Sequence, residues 1–136
     1  MFYETAANCQ TSFFPFSLYP PIHDRESWEA LDEDWKRETV KLGERYLHFS
    51  YPYLSATDFL DFTRTGNRVR YEDKLFSKRQ ALGALVLAEC VENKGRFTDD
   101  IVNGIYAICD ESAWQLPAHN SYIRDTPQLP LPDTEN

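Results

Sequence analysis

Residues 72–93 read EDKLFSKRQALGALVLAECVEN, and this stretch decides the fold. Leu75, Leu82, Leu85 with Val86, and Cys90 recur at helical spacing. Between Ala81 and Ala88 the segment is apolar nearly all round, which is the pattern of a helix covered on every side. The spacing predicts one central helix from about Glu72 to Asn93, stopped by Lys94 and Gly95. Gly83 costs about 1 kcal/mol relative to alanine inside a helix, so it is expected to admit a closely packed neighbour.

The flanking segments are also helical. Downstream, Thr98 reads as a cap followed by Asp99 and Asp100, acids that suit a positive helix start. Ile101, Ile105 and Ile108 then form a core face, with Val102, Tyr106 and Cys109 beside them, and the helix is expected to end between Asp110 and Ser112. Upstream, Ser55 to Asp58 resembles a capping box, and Gly66 or Asn67 suits the left-handed stop of a short helix. Further back, Asp24 and Asp32 read as successive caps. Trp35, Thr39, Leu42 and Tyr46 make the apolar face of the helix that follows.

Prolines at 15, 20 and 21, and again at 117, 127, 130 and 132, exclude regular helix from both ends. The expected architecture is all-α: antiparallel helix pairs in a single segment spanning 1–136, with an extended start over 1–23 and an extended tail over 113–136. A length of 136 residues suits one core and is short for two. No apolar run is long enough to span a membrane, and no leader is visible, so the chain reads as cytoplasmic. It would be periplasmic or secreted if a leader had been removed. Cys9, Cys90 and Cys109 cannot all pair with one another and lack C-x-x-C spacing, so reduced thiols are expected.

The net charge of -8 argues against nucleic acid as a partner. The charge is uneven. Arg64, Arg68, Arg70, Lys74, Lys78 and Arg79 face only Glu72 and Asp73 within their stretch, which is net +4 and leaves the rest at -12. Such a stripe suits either an anionic ligand or the solvated face of a helix.

The segment from Asp110 to Arg124 gathers the residue types that bind sugars. Trp114 offers a flat apolar face for a pyranose ring. Glu111 and Asn120 can hydrogen-bond hydroxyls, His119 can exchange protons near neutrality, and Arg124 can grip a carboxylate with two parallel bonds. Tyr122 lies between them. Each has a structural alternative: Trp114 as a core anchor, Glu111 as an acceptor for backbone or arginine donors, His119 packed on a proline. His23, His48 and His119 share no ligand spacing, so no metal is expected, and no phosphate-binding loop, hence no cofactor, is visible.

The runs 61–72, 78–97 and 99–120 resemble the N-terminal helical part of heparinase II/III-like proteins, a resemblance that extends from about Phe16 to Pro132. Its most specific pieces are the turn Thr65-Gly66-Asn67-Arg68 and the segment from Glu111 through Trp114 to Pro117, Ala118, His119 and Asn120. The resemblance implies a partial α/α toroid and a polysaccharide lyase that cleaves beside a uronic acid by β-elimination. It implies an anionic polysaccharide or oligosaccharide as partner. The substrate-binding candidates on this chain are Glu111, Trp114, His119, Asn120, Tyr122, Arg124 and Arg68. The family's catalytic Asn, His and Tyr are expected beyond Asn136, with His119 a weak candidate here. The chain alone is expected to be inactive, and a partial ring is expected to self-associate through uncovered helix faces. Two other readings stand beside it: a non-catalytic helical module binding a glycan or protein, and a helical glycoside hydrolase, for which Asp110 and Glu111 make a poor carboxylate pair.

Overall fold

The computed structural model describes residues 19–119. Among them all regular structure is helical, with no strand. Five α-helices follow in order: α1 Arg25–Glu29, α2 Glu33–Glu44, α3 Ala56–Thr65, α4 Val69–Glu92 and α5 Thr98–Cys109. A short 3-10 turn, Pro117–His119, closes the described region. No helix among these residues is long and apolar enough to cross a membrane.

Local chemistry sets the helix ends. Asp24 accepts from the Ser27 amide and Asp32 from the Trp35 amide, so both expected caps start helices. Ser55 Oγ accepts from the Asp58 amide at 3.1 Å and donates to the Asp58 carboxylate at 2.6 Å. Gly66 ends α3 in the left-handed region at φ 78°. Two ends depart from expectation. α4 starts at Val69 rather than Glu72, because the Asn67 side chain accepts from the Val69 and Arg70 amides. Thr98 makes no cap bond. Instead the Glu89 carboxylate reaches forward from α4 and takes the Gly95 and Phe97 amides, closing the α4–α5 turn.

α4 is the central element, and its 24 residues extend about 36 Å. α2 and α5 pack along it, with α3 crossing near its start. Lys78 meets Ala107 and Leu82 lies beside Gly104, so α4 and α5 run antiparallel. One buried cluster joins Leu85, Ala88 and Phe97, with Tyr46, Leu47 and Ile101 around it. The other joins Phe59, Tyr71 and Leu75, with Leu54 and Leu116.

Two helices turn inward only part of the face that their apolar spacing suggests. On α2 Gly43 is buried and Lys36, Val40 and Leu47 are half-buried, each one position beyond Trp35, Thr39, Leu42 and Tyr46; of that expected face Thr39 is half-buried and Tyr46 packs on the Leu85 cluster. One position is a rotation of about 100°. It leaves Trp35 and Leu42 exposed. The cause is Gly43, where an added Cβ would lie 2.3 Å from Ala88 Cβ. Only glycine lets the two backbones come this close. α5 behaves alike. Gly104 is buried against Tyr51 and Leu82, and Ile105 points outward. Gly83, by contrast, has nothing within 4 Å of an added Cβ and admits no neighbour.

These contacts set opposite outcomes for one substitution. Gly43→Ala forces two Cβ atoms together and is expected to destabilise by about 2–3 kcal/mol. Gly83→Ala meets open space on a helix and is expected to stabilise by up to about 1 kcal/mol. Urea denaturation of the two variants checks both signs.

Candidate functional site

The loop between α2 and α3 carries Tyr51, Pro52, Tyr53 and Leu54 across the outgoing end of α5. Asp110 to Ala113 leave that helix end beside it. Two adjoining hollows lie between these segments. The first, about 170 Å³, is lined by Tyr51 to Leu54, Lys78, Ala107, Asp110, Glu111 and Ser112. The second, about 180 Å³, shares Tyr53, Leu54 and Ser112 and continues to Ser55, Ala56, Phe59, Tyr71 and Ala113.

A buried ion triad makes the floor. Lys78 projects from the middle of α4 with its side chain 4% exposed, and the Glu111 side chain is 1% exposed. Lys78 Nζ meets Glu111 Oε1 at 2.7 Å and also donates to the Ala107 carbonyl at 2.7 Å. That carbonyl belongs to the last turn of α5, where a cation suits the negative helix end. Arg79 grips the same carboxylate with two parallel bonds, at 2.8 and 2.5 Å. Burial alone pushes the Glu111 carboxyl up, but the bonds from Arg79 and Lys78 prevail and hold it below the usual glutamate range. Burial, reinforced by the Glu111 charge, pushes the Tyr71 phenol up.

The candidate residues do not all meet. Glu111 is committed to Lys78 and Arg79, the arginine-acceptor role. Trp114 is 67% exposed and so is no core anchor. Its indole N–H donates to the Ile108 carbonyl at 3.1 Å, which ties the edge of the ring to α5 while leaving the ring in solvent. His119 ends the 3-10 turn, exposed, its amide bonded to the Leu116 carbonyl. Arg68 sits at the head of α4, 3.6 Å from Glu72, and lines neither hollow. Asn120, Tyr122 and Arg124 lie outside the described residues.

The basic stripe is largely neutralised within the fold. Arg70 pairs with Asp61 and Lys74 with Asp58, while Lys78 and Arg79 share Glu111. Lys74 and Ser55 hold the Asp58 carboxyl below its usual range. These acids come from α3 and from beyond α5, so the pairing is invisible in a local count of charge. Among the described residues, no three His, Cys, Asp or Glu side chains cluster to hold a metal ion. Tyr51 and Tyr53 are lining residues that sequence reasoning passed over, and Lys78 was read there only as part of the basic stripe. Lys78 did leave a signal: it falls on the same stripe as Leu75, Leu82 and Leu85, where a lysine must be buried and paired. No protein-family model and no curated protein matches the chain.

The triad has a measurable consequence. Glu111→Ala leaves Lys78 buried without a counter-charge and is expected to cost about 3–5 kcal/mol. Because the folded pKa of Glu111 is depressed, its contribution is full above the ordinary glutamate pKa and fades as pH falls toward the folded value. Denaturation midpoints taken from pH 7 down to 3 should therefore decline less steeply for Glu111→Gln than for the wild type.

Proposed function

We propose that this chain is the N-terminal helical segment of a heparinase II/III-like polysaccharide lyase, forming one wall of a cleft for glycans that contain uronic acid. The observation that carries the reading is Trp114. It lies within the segment that bears the resemblance, and its ring is held by one edge and open to solvent; it lines neither hollow itself but directly follows Ser112 and Ala113, which do. A broad aromatic face fixed in this way suits stacking on a pyranose. The paired-helix architecture agrees with a toroid segment.

β-Elimination needs a group to neutralise the uronate carboxylate, a base for the C5 proton and an acid for the leaving oxygen. In this reading those groups come from further toroid helices, and the segment described here binds. A non-catalytic helical binding module is the second reading. It is favoured by the mutual pairing of Glu111, Lys78 and Arg79, which leaves no free acid–base pair on the floor of the hollow.

Titration with a panel of sulfated and unsulfated uronic-acid oligosaccharides separates these readings. Saturable binding is expected, weakened about tenfold by Trp114→Ala, equivalent to roughly 1.4 kcal/mol. No absorbance from an unsaturated uronate is expected. Appearance of that product would show the chain to be a complete catalyst, and absence of all binding would overturn the glycan reading.

The same reading gives a role to uncovered apolar side chains. Trp35 and Leu42 on α2, Phe76 and Val86 on α4, and Val102 and Ile105 on α5 are exposed. Further helix pairs would cover such faces in a complete ring. The isolated chain is therefore expected to self-associate, with a light-scattering mass above its 15.9 kDa. A clean monomer at high concentration would contradict this.

A further inference from the structure

We infer that the hollow floored by Lys78 and Glu111 takes an uncharged pyranose through its hydroxyls, and not the carboxylate of a uronate. This deepens the proposed glycan-binding reading and rests on it. An ammonium has three donors. Lys78 spends one on Glu111 and one on the Ala107 carbonyl, so one is left. A carboxylate has about four acceptor positions. Glu111 receives Lys78 once and Arg79 twice, so one is left. The floor is thus left with one donor on Lys78 and one acceptor on Glu111 Oε2, the carboxylate oxygen that Lys78 does not bind.

A hydroxyl is both donor and acceptor, and two neighbouring ring hydroxyls satisfy both positions together. A carboxylate only accepts. It would satisfy Lys78, leave the Glu111 position empty and meet the like charges of Glu111 and Asp110 within the same small hollow. A ligand ammonium would meet the opposite conflict at Lys78. The fixed charges agree, since Lys78 and Arg79 balance Asp110 and Glu111. Tyr51 and Tyr53 supply aromatic walls. The volume, about 170 Å³, lies well under the ~300 Å³ at which drug-sized ligand sites begin, so it suits one ring. The adjoining hollow leaves room for the chain to continue. On a glycan that alternates uronate with neutral sugar, the neutral unit belongs here.

The test compares methyl β-glucopyranoside with methyl β-glucuronoside, the same ring with and without the carboxylate. Each is titrated into the 136-residue chain at pH 7 and followed by the amide NMR signals of Tyr51, Tyr53 and Glu111. The neutral glycoside is expected to shift these signals and to bind about tenfold or more tightly than the glucuronoside. Tyr53→Ala, a change at a side chain 82% exposed and so tolerable to the fold, is expected to weaken the neutral glycoside about fivefold. Equal or tighter binding of the glucuronoside would overturn the inference. So would shifts confined to other regions, with Tyr53→Ala silent. If uronate oligosaccharides bind at Trp114 while neither glycoside moves the three signals, the pocket assignment falls and the proposed function stands. If no glycan binds anywhere, both fall.

Discussion

A lysine buried in the middle of the longest helix imposes a condition on everything around it. An uncompensated ammonium at that depth would cost more than the domain can spare. Lys78 must therefore find an anion, and α4 supplies none in reach; the anion is Glu111, from just beyond α5. Satisfying it pulls the end of α5 against α4, places the Ala107 carbonyl on the same ammonium, and fixes the direction in which the chain leaves the helix. Arg79 then takes two further positions on the carboxylate and leaves one open. The hollow beside this triad, and the exposed Trp114 three residues further on, inherit their positions from it. A well-packed apolar trio could hold the helices as firmly. What the ionic version adds is polar capacity at the floor of a surface hollow.

The second constraint is close approach at glycine. Gly43 lets α2 meet α4 at Ala84 and Ala88, and Gly104 lets α5 meet Tyr51 and Leu82. At both contacts the smallest side chain decides which way the helix faces. Larger apolar residues one position away are turned outward, as Leu42 and Ile105 are. Hydrophobic periodicity assumes that the largest apolar side chains seek the core. That assumption fails where backbones touch, because a large side chain there would hold the helices apart.

This explains which parts of the fold were legible in the sequence. The helices, the caps at Asp24, Asp32 and Ser55, and the left-handed stop at Gly66 follow from local chemistry, and each could be read locally. The rotation of α2 and α5, which keeps Tyr46 and Ile101 on the core but leaves Trp35, Leu42 and Ile105 outside, depends on a partner far along the chain and could not be read so. For the same reason the basic stripe misled: its acids arrive from α3 and from beyond α5. Among the candidate site residues, Glu111 and Trp114 stood out by type and setting. Tyr51 and Tyr53 read as a simple aromatic break around Pro52, since nothing in the loop shows that it will cross the end of α5.

The two constraints meet at one end of the molecule. Gly104 admits Tyr51, whose hydroxyl lies 3.4 Å from the Asp100 carbonyl, and this brings the Tyr51–Leu54 loop over α5. Asp100 also accepts the His48 amide, and His48 itself adopts φ 58° to turn the chain into that loop. Asparagine, aspartate and histidine are the non-glycine residues that most readily tolerate this region. The loop is thus held at its root by Asp100 and along its length by contact with α5, while the opposite wall is held by the Lys78 triad. A hollow between two segments anchored independently to the same helix keeps its width without a ligand. That rigidity is what a weak, hydroxyl-mediated sugar contact requires, because little affinity is then lost to ordering the site.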